Sequence, residues 1–300
     1  MVVTAPLQVS LAGRDLLRIG DLAPAEAEAI LDTAVRLKGD RTPLAPGSTL
    51  GLYFSKHSTR TRVSFSVAIS HLGGTSIPLS PDELQLSRGE SLPDTARALS
   101  RYVDVLAVRT HAHAELEAWA EWASVPVLNA LTADEHPCQA LADALTIRDR
   151  LGSLEGVRVA WVGDGSNVLV SLAALGELLG FEVVAACPAG YEPSAKLALT
   201  VVRDPREAVR NADVLVTDTW ISMGQEHERA ERLAALEPYR LDEALLADAA
   251  PDAFVMHCLP AHPGEEIEAG VLYGPRSAIW DEAENRLHVQ KALLALVLGA

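Results

Sequence analysis

Short, almost wholly apolar runs alternate with amphipathic stretches along nearly the whole chain. The runs with strand character lie at residues 49–54, 75–79, 103–108, 125–130, 157–162, 181–186, 214–217, 254–257 and 278–280. Strands that are apolar on both faces are typical of parallel strands covered by helices on both sides. The pattern therefore predicts an α/β protein built on parallel sheets.

Helical patterns separate these runs, and a second alternation begins after residue 150. The predicted helices are residues 62–72, 91–102, 112–122, 137–150, 168–179, 205–211 and 284–298. Glycines and polar residues at 152–156 interrupt the pattern and predict a domain boundary. We expect a first domain of residues 1–150, completed by a C-terminal helix at residues 284–300, and a second domain of residues 151–283. Residues 222–240 are highly charged, which predicts a long loop or a mobile lid.

Composition excludes several classes of protein. The chain of 300 residues is 49% hydrophobic, which is enough for two cores. It has no apolar run near ~20 residues, as a membrane span would need, and no secretory pattern at its N-terminus. Three widely spaced cysteines predict a reducing cytoplasm. A net charge of −16 without a basic run argues against nucleic-acid binding, although a local arginine cluster can still hold an anion because screening acts over roughly 8 Å.

The segment Ser58-Thr59-Arg60-Thr61-Arg62 lies between a predicted strand and a predicted helix. A helix N-terminus presents backbone N–H groups and a partial positive charge, which suit an anion such as phosphate. Hydroxyl groups add short hydrogen-bond donors, and a guanidinium adds a planar fork that matches phosphate oxygens. The segment therefore predicts a phosphate site. The alternative is an ordinary helix cap with a surface arginine.

Polar residues also follow other predicted strands. They are Arg109, His136-Pro137-Cys138-Gln139, Gly163-Asp164-Gly165-Ser166-Asn167, Asp218, Ser222-Met223-Gly224 and His257-Cys258-Leu259-Pro260. Because ligands bind beyond the carboxyl ends of parallel strands, this recurrence favours a cleft between the domains. Each of these residues also has a purely structural interpretation. Arg109 would then be a surface charge, His136 a helix cap, and the cysteines small buried residues.

Two cofactor hypotheses compete with this interpretation. The first is a metal site, for which the candidate ligands are His136, Cys138, His257 and Cys258. Their spacing matches no structural zinc pattern. The second is a dinucleotide site at Gly163-Asp164-Gly165, but Val168 stands where the third glycine of that fingerprint belongs. Asp164 is then interpreted as a helix cap.

Four motifs together resemble the ornithine branch of the aspartate/ornithine carbamoyltransferase family. They are Ser58-Thr59-Arg60-Thr61-Arg62, His136-Pro137-Cys138-Gln139, Asp218 with Ser222-Met223-Gly224, and His257-Cys258-Leu259-Pro260-Ala261. They occur in the family's order and cover nearly the whole chain. The first two are shared with the aspartate branch, whereas the last two distinguish the ornithine branch.

The resemblance implies the fold and the reaction. The fold would be two doubly wound parallel-sheet domains joined by interdomain helices. The reaction would move the carbamoyl group of carbamoyl phosphate to the side-chain amine of L-ornithine, giving L-citrulline and phosphate in arginine biosynthesis, with no cofactor and no metal. The implied partners are these two small molecules, without nucleic acid or membrane. Gln85 matches a segment that in this family reaches a neighbouring subunit's site, which implies a homotrimer or a multiple of trimers.

The resemblance also implies residue roles, carried over position by position. The implied catalytic residues are Arg60, Arg109, His136 and Cys258. The implied carbamoyl phosphate contacts are Ser58, Thr59, Arg60, Thr61, Gln85, Arg109, His136, Gln139, Cys258, Leu259 and Arg286. The implied ornithine contacts are Asn167, Asp218, Ser222 and Met223. The alternatives are a different amine acceptor, such as acetylated ornithine or putrescine, and a non-catalytic homologue, which would be expected to lack Arg60, His136 or Cys258.

Overall fold

A computed structural model of the chain describes residues 9–56, 58–194, 197, 199–222 and 224–300. Contacts divide the chain into two compact units. Unit 1 comprises residues 1–141 and 286–300, and unit 2 comprises residues 142–285. Each unit is built on one sheet in which all strand pairs are parallel. The predicted α/β class with two parallel-sheet domains is confirmed.

The sheet of unit 1 has four strands in the order β2-β1-β3-β4. The strands are β1 (Thr49–Phe54), β2 (Thr75–Leu79), β3 (Val105–Arg109) and β4 (Val127–Leu131). The helices that begin in this unit are α1 (Pro24–Leu37), α2 (Arg60–His71), α3 (Leu92–Leu99), α4 (His113–Trp122) and α5 (Pro137–Leu151). The sheet order changes direction between β1 and β3, and such a switch point is where ligands bind in open parallel sheets.

The sheet of unit 2 has five strands in the order β7-β6-β5-β8-β9. The strands are β5 (Arg158–Val162), β6 (Glu182–Ala186), β7 (Thr200–Val202), β8 (Val214–Thr217) and β9 (Phe254–His257). The helices that begin in this unit are α6 (Asn167–Leu179), α7 (Pro205–Val209), α8 (Arg229–Leu236), α9 (Glu243–Ala247), α10 (Ala269–Leu272) and α11 (Ile279–Val297). Here the switch point lies between β5 and β8.

Two predicted elements are wrong. The apolar run at 278–280 is not a strand, because α11 begins at Ile279 after a single bridge between Val255 and Ser277. Three apolar residues are too few to separate a strand from the first turn of a helix. Residues 222–240 are not a long loop, because they contain α8. The sequence does not show the helical pattern of α8 clearly, because α8 contains several charged residues and its buried face carries an arginine. The buried residues Arg232 and Leu236 lie four positions apart.

Helices α5 and α11 each contain residues of both units. The first turn of α5 belongs to unit 1, and the part of α11 from Arg286 onward also belongs to unit 1. Within the described residues, every helix is too short or too polar to span a lipid bilayer.

Candidate functional site

The switch point of unit 1 brings Arg109 to the start of α2. Phe54 and Arg109 are paired at the carboxyl ends of β1 and β3. The backbone N–H of Ser55 donates to the carbonyl oxygen of Arg109 over 2.9 Å. The Arg109 Nη1 donates to the Ser58 Oγ over 3.3 Å. The guanidinium of Arg109 is therefore ordered beside the Ser-Thr-Arg-Thr segment, as a phosphate site requires.

The first turn of α2 accepts a hydrogen bond from Arg286 but, among the described residues, has no side-chain cap at Thr59. Within the described part of the chain, the N-cap residue Thr59 makes no side-chain capping hydrogen bond. Thr61 is 1% exposed, and its Oγ1 accepts a hydrogen bond from the Arg286 Nη2. Arg60 is half-buried. In the part of α2 that the structure describes, the Thr59 side chain therefore does not cap the helix, and Arg60 is not a fully exposed surface residue.

His136 lies within the field of three guanidinium groups. It is buried just before α5. Burial, together with the positive charges of Arg286, Arg109 and Arg60, lowers the pKa of His136 well below its usual 6.5. His136 is thus a neutral imidazole near pH 7, and such a ring can donate an N–H hydrogen bond without carrying charge. We call Ser58, Arg60, Thr61, Arg109, His136 and Arg286 the anion cluster.

Other predicted residues of unit 1 occupy different positions. Gln139 is fully buried in the first turn of α5, and its N–H donates to the His136 carbonyl oxygen over 3.0 Å. Cys138 is fully buried, its Sγ donates to the Asn129 carbonyl oxygen over 3.5 Å, and burial raises its pKa to about 12. Cys138 is thus a buried structural residue. Gln85 is exposed at the start of the 3-10 turn Gln85–Arg88.

The switch point of unit 2 brings together Asp218, Ser166 and Cys258. Asp218 follows β8 and is 6% exposed. The Cys258 Sγ donates to the Asp218 Oδ1 over 2.9 Å, and the Ser166 Oγ donates to the Asp218 Oδ2 over 3.1 Å. A buried carboxylate with two ordered donors is a fitting partner for an ammonium group. We call Ser166, Asp218 and Cys258 the amine cluster.

A histidine and a glutamate hold the loop that carries Cys258. The Leu259 N–H donates to the His257 Nδ1 over 2.9 Å, so the proton of the ring lies on Nε2, which is 3.2 Å from the Glu266 Oε1. Glu266 is fully buried and also accepts from the backbone N–H of His262. Leu259 has a φ of 59°, a strained value for leucine. These bonds fix the loop in a strained shape.

Two further predicted residues of unit 2, Asn167 and Ser222, follow β5 and β8 along the chain. Asn167 is half-buried at the first position of α6. The backbone N–H of Ser222 donates to the Gln225 Oε1 over 3.0 Å. Met223 lies outside the described residues. The roles predicted for these residues remain predictions.

Sequence reasoning did not predict roles for Ser166 or Arg232. Ser166 caps α6, its Oγ accepting from the Val168 N–H over 3.3 Å. Asp164, which was expected to cap that helix, instead forms an ion pair with Arg232. The sequence could have indicated Ser166, because this residue lies in the loop that follows β5. Arg232 lies 68 residues from Asp164, so no local pattern could have linked them.

Two groups of described side chains bring candidate metal ligands within 4.8 Å of one another. The groups are Asp218 with His257 and Cys258, and His262 with Glu265 and Glu266. In the first group the thiol bonds to the carboxylate, and both ring nitrogens of the histidine have protein partners. In the second group Glu265 is paired with Arg229. Hydrogen bonds and ion pairs within the protein therefore explain both groups.

Family models cover almost the whole chain. The model described as the carbamoyl-P binding domain of aspartate/ornithine carbamoyltransferase matches residues 14–149. The model described as the Asp/Orn binding domain matches residues 155–297. The chain belongs to the aspartate/ornithine carbamoyltransferase family. The family predicted from the four motifs is confirmed.

Individual members of this family are similar over their full length. The ornithine carbamoyltransferase of Methanoculleus marisnigri is 51% identical, with 95% of this chain and 97% of that protein covered. That of Prochlorococcus marinus is 53% identical, with 98% and 97% covered. The solved ornithine carbamoyltransferase of Pyrococcus furiosus has a TM-score of 0.94 and 48% identity, with 97% of this chain and 99% of that chain covered.

Proposed function

We propose that this protein transfers the carbamoyl group of carbamoyl phosphate to the side-chain amine of L-ornithine, giving L-citrulline and phosphate. The observation that carries the proposal is the anion cluster, in which Arg109 bonds to Ser58, Arg286 bonds to Thr61, and burial with the charges of three arginines lowers the pKa of His136. This cluster lies in a chain about half identical, over its full length, to proteins named ornithine carbamoyltransferase. The chain keeps Arg60, His136 and Cys258, the groups that a non-catalytic homologue would be expected to lack.

The anion cluster suits carbamoyl phosphate. Ser58, Arg60 and Thr61, with the first-turn amides of α2, provide donors for the phosphate. Neutral His136 and the guanidinium of Arg109 provide donors for the carbonyl oxygen. That oxygen gains negative charge when an amine attacks the carbon, and fixed donors in a dry site stabilise the charge. Gln139 and Arg286 complete the proposed contacts.

The amine cluster suits an amino acid that carries a second amine. The side-chain amine of ornithine forms the new C–N bond, the C–O bond to phosphate breaks with its electron pair, and the proton lost by the amine is taken up by the departing phosphate. A free alkyl amine resembles lysine, with a pKa of about 10.4, so a desolvated pocket helps to neutralise it. We propose that the Asp218 carboxylate binds the α-ammonium and that Cys258 positions the attacking amine. Asn167, Ser222, Met223 and Leu259 complete the proposed contacts.

A comparison of acceptors tests the proposal. The purified protein is supplied with carbamoyl phosphate and with L-ornithine, N-acetyl-L-ornithine or putrescine, and the carbamoylated product is measured. We expect L-ornithine to be the best acceptor, because the other two lack the charged α-ammonium or the α-carboxylate. A faster rate with either alternative acceptor would overturn the assignment of ornithine. No product with any acceptor would support the non-catalytic alternative.

We propose that three copies assemble and that Gln85 acts in the site of a neighbouring copy. Gln85 is exposed in a turn of unit 1. Two large apolar side chains of the same unit are also exposed, Val63 on α2 at 53% and Ile77 on the edge strand β2 at 43%. The Ser76 Oγ donates to the Ser66 Oγ over 3.0 Å, so β2 and α2 are neighbours. This exposed apolar surface supports an interface between copies.

Mixing of inactive variants tests the shared site. The Arg60→Ala and Gln85→Ala proteins are each expected to be inactive. The two proteins are unfolded, mixed and refolded together, and activity is measured. A shared site predicts recovered activity, because some sites in a hybrid trimer combine an intact Arg60 with an intact neighbouring Gln85. A mixture of Arg60→Ala with Arg109→Ala is the control and should recover nothing, since both residues belong to one copy. Equal recovery in both mixtures, or none in either, would count against the shared site.

We propose that the protein works in the cytoplasm and contributes to arginine biosynthesis. Its three cysteines are free thiols, and the proposed mechanism needs Cys258 reduced, which suits a reducing compartment. If the protein forms citrulline for arginine synthesis, its gene should restore growth in arginine-free medium to a bacterial strain that lacks this activity. Failure to restore growth by a protein that is active in vitro would argue against the biosynthetic direction.

A further inference from the structure

Arg232 of α8 is a buried arginine with two directed hydrogen bonds and a longer ion pair, at 3.6 Å, with Glu228. Its side chain is 7% exposed. Its Nε donates to the carbonyl oxygen of Trp220 over 2.6 Å, and its Nη2 donates to the Asp164 carboxylate. A guanidinium can make both bonds at once because its donors point along fixed, separate directions. Burial of a charge is costly unless it is paired in this way, so this arrangement calls for a physical explanation.

The two bonds join the two loops of the unit 2 switch point. Trp220 lies between Asp218 and Ser222, two proposed acceptor contacts. Asp164 lies in the loop after β5, just before Ser166 and Asn167. Arg232 itself lies on neither loop. Its guanidinium therefore sets the spacing between two segments that carry the acceptor contacts.

Packing around the guanidinium leaves little freedom for either loop. Trp220 is 1% exposed, and its Nε1 lies 3.2 Å from where a Cβ at Gly163 would be. Gly163 has a φ of 127°, a conformation open to glycine. The ring of Tyr191 lies 5.1 Å from the Arg232 Cζ. Since the Gly165 N–H donates to the Tyr191 carbonyl oxygen over 2.8 Å, a third segment is tied to the same point.

We propose that Arg232 is a positioning residue for the amino-acid acceptor: by bonding to Asp164 and to the Trp220 carbonyl, it holds the two loops at the spacing that the acceptor needs, without touching the acceptor. This inference rests on the proposed function, because it assumes that the amine cluster binds L-ornithine. It predicts that loss of Arg232 weakens acceptor binding selectively and leaves the anion cluster of unit 1 intact.

Charge makes the pair of Arg232 and Asp164 interdependent. Burial, with a further contribution from the Asp218 charge, raises the pKa of Asp164 to about 6, although Arg232 acts in the opposite direction. Burial, with a contribution from the Asp164 charge, raises the pKa of the nearby Cys187 thiol to about 12. Without Arg232, the Asp164 carboxyl would gain a proton at a higher pH still. Replacing either partner should therefore weaken the link between the two loops.

Steady-state kinetics on the intact protein test the inference. The variants are Arg232→Gln, Arg232→Lys, Asp164→Asn and the double variant Arg232→Gln with Asp164→Asn. The control is Arg206→Gln, which removes an exposed ion pair with Asp248 in the same unit. We expect Arg232→Gln and Asp164→Asn each to raise the KM for L-ornithine by about 10- to 100-fold, as small misplacements of binding groups do. The KM for carbamoyl phosphate should stay within about twofold in every variant.

Two further results separate positioning from a purely structural role. The double variant should resemble Arg232→Gln, because that substitution already removes both bonds that join the loops. The KM of Arg232→Lys for L-ornithine should lie between those of the wild type and Arg232→Gln. An ammonium keeps the charge beside Asp164 but lacks the planar set of donors that also reaches Trp220. Binding of L-norvaline, which is ornithine without the side-chain amine, should weaken in parallel with the change in KM.

The outcomes that overturn the inference are distinct from failure of the proposed function. If the wild-type protein makes no citrulline, the proposed function fails. If the wild type is active and Asp164→Asn leaves the KM for L-ornithine unchanged, the positioning role is wrong, even if Arg232→Gln does not fold. Equal increases in the KM of both substrates, or a fall in melting temperature with unchanged KM values, would likewise contradict it.

Discussion

The Arg286 Nη2 donates a hydrogen bond to the Thr61 Oγ1, joining residues 225 positions apart in the sequence. Thr61 lies in the first turn of α2, and Arg286 lies in α11. Arg286 is 3% exposed, and its charge helps to lower the pKa of His136. A residue from the far end of the chain thus completes the positive field of the anion cluster.

Arg286→Lys should weaken use of carbamoyl phosphate selectively. Lysine keeps the charge but cannot supply a planar pair of donors to Thr61 and an anion together. We expect kcat/KM for carbamoyl phosphate to fall by about 10²-fold in steady-state assays. Arg101→Lys, at an exposed position of unit 1, is the matched control and should behave as the wild type. An unchanged Arg286→Lys enzyme would remove Arg286 from the site.

Arg60→Ala should abolish turnover while the protein stays folded. Arg60 is half-buried at the first position of α2 and contributes to the field around His136. We expect citrulline formation to fall by at least about 10³-fold. Circular dichroism and the melting temperature should remain close to those of the wild type. Activity that survives in this variant would show that the start of α2 does not bind the phosphate.

His136 should make the stability of the protein depend on pH. Its pKa in the folded state lies below the unfolded value of 6.5. Between these two values the unfolded chain binds more protons than the folded one, so stability rises with pH and is lost as pH falls through about 6.5. The slope from this residue is at most about 1.4 kcal/mol per pH unit.

Urea unfolding between about pH 5 and 7 measures this slope. His136→Gln should flatten the dependence of the unfolding free energy on pH relative to the wild type. His227→Gln changes an exposed histidine, 75% accessible, and serves as the control. Equal slopes for the wild type and His136→Gln would mean that His136 is not held neutral by its surroundings.

Cys258→Ala should leave slow but measurable turnover. The thiol donates to Asp218, an arrangement that positions an amine and does not generate a free thiolate. We expect kcat/KM for L-ornithine to fall by about 10- to 100-fold, with the KM for carbamoyl phosphate nearly unchanged. Mass spectrometry of the wild type with carbamoyl phosphate alone should show no adduct. A carbamoylated Cys258 in that experiment would instead establish covalent catalysis.

Lys291→Met should destabilise the protein without changing its kinetics. Lys291 is 1% exposed, and its Nζ donates to the carbonyl oxygens of Leu37, over 3.0 Å, and of Asp40. Removing the ammonium leaves the end of α1 without these donors, at a cost of about 1–3 kcal/mol. Urea unfolding at neutral pH measures the change. The exposed Lys38→Met is the control, and equal stability of the two variants would contradict the role of Lys291.

The sequence alone predicts the strands well, because strands buried on both faces have an unmistakable apolar pattern. The buried strands β1, β8 and β9 occupy their predicted residues. It fails where a short pattern is ambiguous, as at Ile279, or where a buried charge resembles a surface charge, as at Arg232. At Arg232 the deciding contact comes from Asp164, which lies 68 residues away in the chain.

The sequence by itself determined the two parallel-sheet domains, the family and the residue types placed after each strand, because periodicity and motif order are local properties of the chain. Only the tertiary structure decided which of those residues act on one another. It placed Arg286 against Thr61, made His136 neutral among three arginines, and paired Cys258 with Asp218. Electrostatic and hydrogen-bond energies depend on distance in space and on burial, and neither can be obtained from spacing along the chain.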